Sequence, residues 1–321
     1  MQRPLRYTYD GLPIAPDPPF GAAIIVRRPA AGSARDAQYL VLHRALHGPD
    51  YAGDWAWTPP SGSRQPGEAV LGAALRELAE ETGLVVADTD LRALDLSGRW
   101  VRFGLDMPAG TNARVDPEHD RLDWLSLDEA IARCQPATVA DGLRLAAAAT
   151  AATLAFRPLR IADVPELLTW QHSSHAIRWF PERLDFAAAQ RKYGPRIAGD
   201  SPVRVHVVAA DGQDCGYIQH YRTGDVDPSA LDPDAIGLDF SIGVEELTGR
   251  GLGPQLIWSY VRDVVVPAHP AARHVEASPD RANTRSIRAL TKAGFEMGAS
   301  EPGPETRCVL DVVKFFGADR G

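Results

Sequence analysis

The sequence predicts an α/β protein (α+β in its finer arrangement) built as two successive units, and three observations carry that prediction. The 321 residues exceed the roughly 150 that one core ordinarily holds. Short apolar runs alternate with amphipathic stretches, the pattern of strands interleaved with helices. The texture also restarts at Phe156-Arg157-Pro158-Leu159, after an alanine-rich stretch, which sets a boundary near residue 153 and units of 1–152 and 153–321. Neither part repeats the other.

Each element follows from its residues. Ala22–Val26 and Tyr39–Leu42 read as strands separated by a loop over Pro29–Asp36. The turn-rich segment His47–Gly67 precedes a helix from Ala69 to Thr82, stopped by Gly83. Strand and loop pieces fill 85–125, a helix begins at Ser126–Arg133, and an alanine-rich helix covers about 138–152. In the second part, a strand at Phe156–Leu159 leads to a helix over Asp163–His172 and strands near 203–209 and 215–221. An acidic loop, a strand at Gly237–Val244, a glycine loop and a helix at Pro254–Val265 follow. A strand at Arg273–Ala277, a helix at Thr284–Ala293 and two closing strands complete the pattern.

Composition narrows the function. Apolar residues at 45% and charged residues at 24% fit a soluble globular chain and exclude disorder. No run reaches the ~18 apolar residues a membrane helix needs, so no membrane partner is expected. Three scattered cysteines, Cys134, Cys215 and Cys308, fit a reducing compartment, and a cytoplasmic location is expected. Net charge is −8, and neither part carries the basic field of a nucleic-acid binder. Small molecules are the expected partners; a homodimer stays open.

The first chemical signal is Gly62-x5-Glu68-x7-Arg76-Glu77-Leu78-Ala79-Glu80-Glu81-Thr82-Gly83-Leu84. At about 100° per residue, Glu77, Glu80 and Glu81 share one helical face, and three carboxylates in one turn repel strongly. A hard divalent cation, Mg²⁺ or Mn²⁺, relieves that repulsion, bridges diphosphate oxygens and acidifies a bound water. Seven fixed positions match the Nudix box, a coincidence of order 10⁻⁹ by chance, so the first part resembles a Nudix hydrolase over about 20–150. The resemblance implies an α/β/α sandwich that cuts a nucleoside-diphosphate-linked compound. It implies Glu80 and Glu81 as metal ligands, Glu77 to orient or deprotonate water, and Arg76 to position Glu77. By the same resemblance Glu68 and the carbonyl of Ser61 would join the metal shell, and Glu118, in the segment before the last helix, would complete it. Trp55 and Trp57 divide between base stacking and core packing. A nucleotide-binding regulatory module that does not cut is the alternative, although no box residue is missing.

The second signal is Thr248-Gly249-Arg250-Gly251-Leu252-Gly253, a glycine loop opening a helix after a strand and suited to cradling a pyrophosphate. The stretch Asn283-Thr284-Arg285-Ser286-Ile287 through Lys292-Ala293-Gly294-Phe295 resembles the closing motif of GNAT acetyltransferases, over about 155–317. Within them the second part is most similar to aminoglycoside 6′-N-acetyltransferases and siderophore-pathway relatives, through Trp170, Ser174, His175, Trp179, Gly216-Tyr217 and Gly237-Leu238-Asp239. The resemblance implies a mixed-sheet acetyltransferase binding acetyl-CoA through Ile242, Gly243, Val244, Gly249, Arg250, Gly251, Leu252, Gly253, Asn283 and Ser286. Asp239 would deprotonate the acceptor amine. A tyrosine frequent in the family's last helix is replaced by Leu290, and an acidic acceptor-binding position by Ser278. Eight carboxylates against Arg222 over 214–246 predict an acidic funnel for cationic amines. The whole chain is expected to be bifunctional, a diphosphohydrolase joined to an N-acetyltransferase.

Overall fold

A computed structural model of the chain describes residues 6–8, 11–30, 33–298 and 303–318. The chain divides into two compact units at Ala149–Thr150, and the segment from Lys314 groups with the first. Each unit is a mixed sheet with helices, and no helix among the described residues is long and apolar enough to cross a membrane.

In the first unit, β1 (Gly21–Ala30) is central, antiparallel to β2 (Ser33–Arg44) and parallel to a later strand. The two strands run through most of the expected Pro29–Asp36 loop, because Arg27↔Tyr39 through Ala30↔Ser33 pair as a hairpin. Short strands β3 (Trp57–Thr58) and β4 (Ser61–Ser63) pair with β2 and β1 and lead into α1 (Val70–Thr82). Gly83 ends α1 in the left-handed region at φ 67°, its N–H on the carbonyl of Ala79. β5 (Arg92–Asp95), β6 (Trp100–Asp106) and β7 (His119–Leu125) complete the sheet, β6 beside β1 and β7 beside β2. Ser126 caps α2 (Leu127–Arg133) in a capping box with Glu129, and α3 (Ala137–Ala148) stops four residues short of expectation.

Alternation along the strands gives the sheet two apolar faces. Ile25, Tyr39 and Val41 pack with Ala130, Cys134, Ala140 and Leu143 of the α2–α3 layer. Ile24, Val26, Leu40 and Leu42 point the other way and are also fully buried. Helix α1 contacts β1 and buries Leu71, Ala74 and Leu78.

The second unit has strand order β8 (Leu154–Pro158), β9 (Arg204–Ala210), β10 (Gln213–Arg222), β11 (Ile236–Ile242), β12 (His274–Ala277), β14 (Cys308–Asp311) and β13 (Glu296–Met297). Asp211-Gly212, both at positive φ, make the tight β9–β10 turn. The longer helices are α4 (Val164–His172), α5 (Phe186–Ala198), α6 (Leu252–Tyr260) and α7 (Thr284–Lys292), and a short closing helix α8 (Val312–Phe316) crosses the division at Lys314. The sequence reading lacked α5, a polar helix with Gly194 and Pro195 inside it, and extended β11 two residues too far. β11 and β12 are parallel and pair only at Ile236↔Val275 and Gly237↔Glu276. Beyond that point the strands part, leaving one edge of β11 open.

Candidate active sites

The carboxylates of the first unit are set by one close approach. A Cβ on Gly62 would fall 1.9 Å from Glu77 Cδ, so only glycine lets β4 and α1 bring that carboxyl against the backbone. The backbone N–H of Ser61 donates to Glu81 Oε2 at 2.7 Å. Arg76 donates Nε and Nη2 to Glu68 (2.8 and 3.0 Å), Nη1 to Glu77 Oε1 (2.8 Å) and Glu80 Oε2 (2.9 Å), and Nη2 also to the Ser63 carbonyl (2.9 Å). Burial raises the pKa of Glu77 against the pull of Arg76. Burial holds that of Glu81 well above the carboxylate range, opposed by the Ser61 amide and reinforced by the charge of Glu77. One guanidinium thus holds three carboxylates, Glu68, Glu77 and Glu80.

Among the described residues no three acidic, histidine or cysteine side chains stand around one point as a finished metal site, because Arg76 draws Glu68, Glu77 and Glu80 to itself. The donors nevertheless fit a divalent ion. They are hard oxygens, and the buried Nε2 of His119 lies 3.9 Å from Glu81 Oε1 with no hydrogen-bond partner. Glu77, Glu80, Glu81 and Glu118 line a cavity of about 560 Å³ together with the Ser61 residue expected to offer its carbonyl. Sequence reasoning missed three further lining residues, Arg44, Trp100 and Arg102. The Nε of Arg44 is buried without a hydrogen-bond partner. Trp55 and Trp100 stay 53% and 42% exposed at the cavity, whereas Trp57 belongs to the core, which divides the two expected tryptophan roles.

In the second unit, Gly249 (φ 73°) and Gly251 (φ 78°) take conformations that strain any L side chain, and Gly251 is the N-cap of α6. The first backbone N–H groups of α6, just after this loop, have no intrahelical acceptor. The N–H of Thr150 donates to the Arg250 carbonyl, and Gln255 Nε2 donates to the carbonyls of Thr150 and Gly251 (2.8 and 3.0 Å). His175 Nε2 donates to the Ile242 carbonyl at 2.9 Å. Asn283 Oδ1 caps α7 by accepting the Ser286 N–H, which leaves its amide NH₂ for a ligand. His175, Arg178, Trp179, Asn283 and Arg285 line a second cavity of about 380 Å³.

Asp239 Oδ2 accepts from Gln219 Nε2 at 2.8 Å, and Gln219 Oε1 accepts from Arg196 Nη1 at 2.8 Å. Since a guanidinium only donates, Arg196 fixes which way the amide faces. The Asp239 side chain opens to solvent yet sits in a recess crowded with protein atoms, and that crowding raises its pKa. Part of the expected acidic funnel is paired. Asp214 pairs with Arg157, Asp225 and Asp234 pair with Arg222, Asp232 with His274 at 2.7 Å, and Glu245 accepts from Ser174 at 3.0 Å. A count along the sequence could not see Arg157 or His274, which the sheet brings in. Leu290 is fully buried and offers no proton. Burial pushes Cys134 up to about 12 and Cys215 up to about 11, so neither is a thiolate at neutral pH.

The NUDIX domain family matches residues 19–145, and the acetyltransferase (GNAT) domain family matches residues 161–300. Over 87 residues the chain is 38% identical to the bis(5'-nucleosyl)-tetraphosphatase [asymmetrical] of Rattus norvegicus, a match covering 23% of this chain and 58% of that protein. The chain thus spans less than two thirds of the length of the curated relatives it matches first. It is 31% identical over 81 residues to a kanamycin resistance protein of Rhizobium radiobacter, covering 25% of this chain and 73% of that protein. The solved structure of aminoglycoside acetyltransferase AAC(6')-Ib with coenzyme A is 25% identical, with a TM-score of 0.44, and covers 50% of this chain and 95% of that one.

Proposed function

Because the chain belongs to the GNAT acetyltransferases through its second unit and carries a Nudix hydrolase domain as its first, we propose that it is a bifunctional enzyme acting on two small-molecule substrates. The first unit hydrolyses a diphosphate link in a nucleotide, with dinucleoside polyphosphates the favoured class. The observation that carries this reading is the set of Glu77, Glu80 and Glu81 at a cavity that also presents two open indoles and Arg44. Indole faces suit purine rings, and Arg44 suits a phosphate oxygen.

Glu80, Glu81, Glu118, Glu68 and the Ser61 carbonyl would hold Mg²⁺ or Mn²⁺. When bound, such an ion neutralises phosphate charge and acidifies water. Glu77, held by Arg76 and seated against Gly62, would orient the attacking water and take its proton, a role that its raised pKa favours. The test is product analysis with dinucleoside tetraphosphate and ADP-ribose, with and without the metal. No turnover of any diphosphate-linked nucleotide ends the reading.

The second unit transfers acetyl from acetyl-CoA to an aminoglycoside-like or siderophore-precursor-like amine. Ile242–Val244, the Gly249–Gly253 cradle with Arg250 and Leu252, and Asn283 and Ser286 hold the thioester substrate. Asp239, aimed by Gln219, receives the amine proton as the C–N bond forms and the C–S bond breaks, and the thiolate takes a proton from water. Support comes from the cradle geometry and the likeness to the kanamycin resistance protein. Free-thiol release across a panel of amines tests it, and silence from every amine would count against it.

A further inference from the structure

We propose that His119 is a nitrogen ligand of the divalent ion in the first unit, which makes that site selective for a manganese-type over a magnesium-type cation. The inference rests on the reading of Glu81 as a metal ligand. The contrast with His43 in the same sheet carries it. His43 is fully buried with both ring nitrogens engaged, Nδ1 with Asp120 at 2.6 Å and Nε2 with the Tyr51 carbonyl at 2.7 Å. That is a satisfied structural histidine.

His119 differs in one respect. Its side chain is 2% exposed, and Nδ1 lies 2.8 Å from Asp116 Oδ1. A carboxylate oxygen accepts, so the hydrogen on Nδ1 faces Asp116 and Nε2 is the ring nitrogen left over. That nitrogen is buried without a hydrogen-bond partner, and Glu81 Oε1 lies 3.9 Å from it. The two atoms face each other across a gap too long for a hydrogen bond. A cation shared between them would give both a partner. Ligands at about 2.1 Å from one ion lie at most about 4.2 Å apart, so the observed gap needs no backbone movement.

The carboxylate behind the ring belongs to the same design. Asp116 fixes tautomer and orientation as the outer partner of a metal-binding imidazole does. Pairing of β2 with β7 delivers the ring, since His119 lies opposite Arg44 at the strand end, next to Glu118. A nitrogen donor among carboxylates favours a first-row transition ion, because Mg²⁺ prefers oxygen and keeps its water.

The test is made on the full chain loaded with Mn²⁺. Pulsed electron paramagnetic resonance should detect a directly coordinated ¹⁴N nucleus in the native protein and lose it in His119→Gln. Titrated with each ion alone, His119→Gln should weaken Mn²⁺ binding by about tenfold or more and Mg²⁺ binding by less than about threefold. Absence of nitrogen coupling in the native protein, or equal loss for both ions, overturns the proposal. If the variant does not fold, the native spectrum decides alone. Glu81→Gln separates the layers. Mn²⁺ binding that survives it intact removes the site itself, whereas binding that depends on Glu81 without nitrogen coupling removes only His119.

Discussion

The sites proposed for the two units would handle phosphate by opposite means. The first concentrates negative side chains, Glu68, Glu77, Glu80 and Glu81, which repel phosphate until a cation intervenes. The second uses backbone amides at Gly249–Gly253 and a helix terminus, which attract phosphate directly. A site of side chains depends on charge and can be silenced by one isosteric amide. A site of main chain depends on conformation and is sensitive to a methyl group. Metal dependence, pH response and mutational sensitivity should therefore separate cleanly between the two.

The sharpest separation comes from Glu81→Gln, with Glu80→Gln close behind. Each should lower metal-dependent hydrolysis by roughly 10³-fold or more, and acetyl transfer should continue at its native rate. Nucleotide product formation and thiol release measured on one preparation check this. Parallel loss of both activities would join what the comparison divides. A chelator should reproduce the same split without any substitution.

Next in size is a pH effect confined to the second unit. His220 stacks on His206 and lies 5.1 Å from His269, and the rings of His206 and His220 both meet the buried Tyr260 hydroxyl at 2.7–2.8 Å. Burial, then His269, His206 and Arg204, lower the pKa of His220 from 6.5 to about 4. Burial also lowers those of His206 and His269. The folded ring binds its proton less readily than the unfolded one. Its stability is therefore full above about pH 6.5 and is lost as pH falls toward 4, by of order 3 kcal/mol. Thermal melting against pH should show this acid limb, and His220→Gln should flatten it. An unchanged limb would move its source elsewhere.

Gly251→Val should be milder. Forcing an L side chain into φ 78° costs about 1–2 kcal/mol, which predicts a roughly tenfold weaker acetyl-CoA affinity by calorimetry with hydrolysis untouched. Native affinity in that variant would mean that the cradle is not the binding element. The smallest effect concerns the acceptor. Because Arg157, Arg222 and His274 pair with Asp214, Asp225, Asp234 and Asp232 but leave the segment net negative, the rate with a cationic amine should fall with salt about twofold more than the rate with a neutral one. Identical responses would mean that the segment does not steer the acceptor.

The sequence disclosed what is local. Arg76, Glu77, Glu80 and Glu81 lie within two turns of one helix, so their common face is readable from spacing alone. The cradle is legible for the same reason, being six consecutive residues. What pairing assembles was invisible. Arg44 and His119 are 75 positions apart and meet only because β2 and β7 share a register. Gln219 reaches Asp239 across two strands. Helix α5 escaped because Gly194 and Pro195 interrupt its pattern, although Ala189 and Tyr193 anchor it. The pairing within the acidic segment was invisible for the complementary reason, since Arg157 and His274 come from outside the window that was counted.

The two hydrogen bonds of Thr150 bear on where the chain can be cut. Its N–H meets the Arg250 carbonyl, and its own carbonyl meets Gln255. A fragment starting at residue 153 discards both and leaves the glycine turn without an outer brace. One starting at Thr150 replaces its peptide N–H with a free amine but keeps the carbonyl, and one starting a few residues earlier keeps both. The start of an excised transferase is thus decided by three residues that lie outside every strand and helix, and a ligand-binding comparison of such fragments would read out the brace by itself.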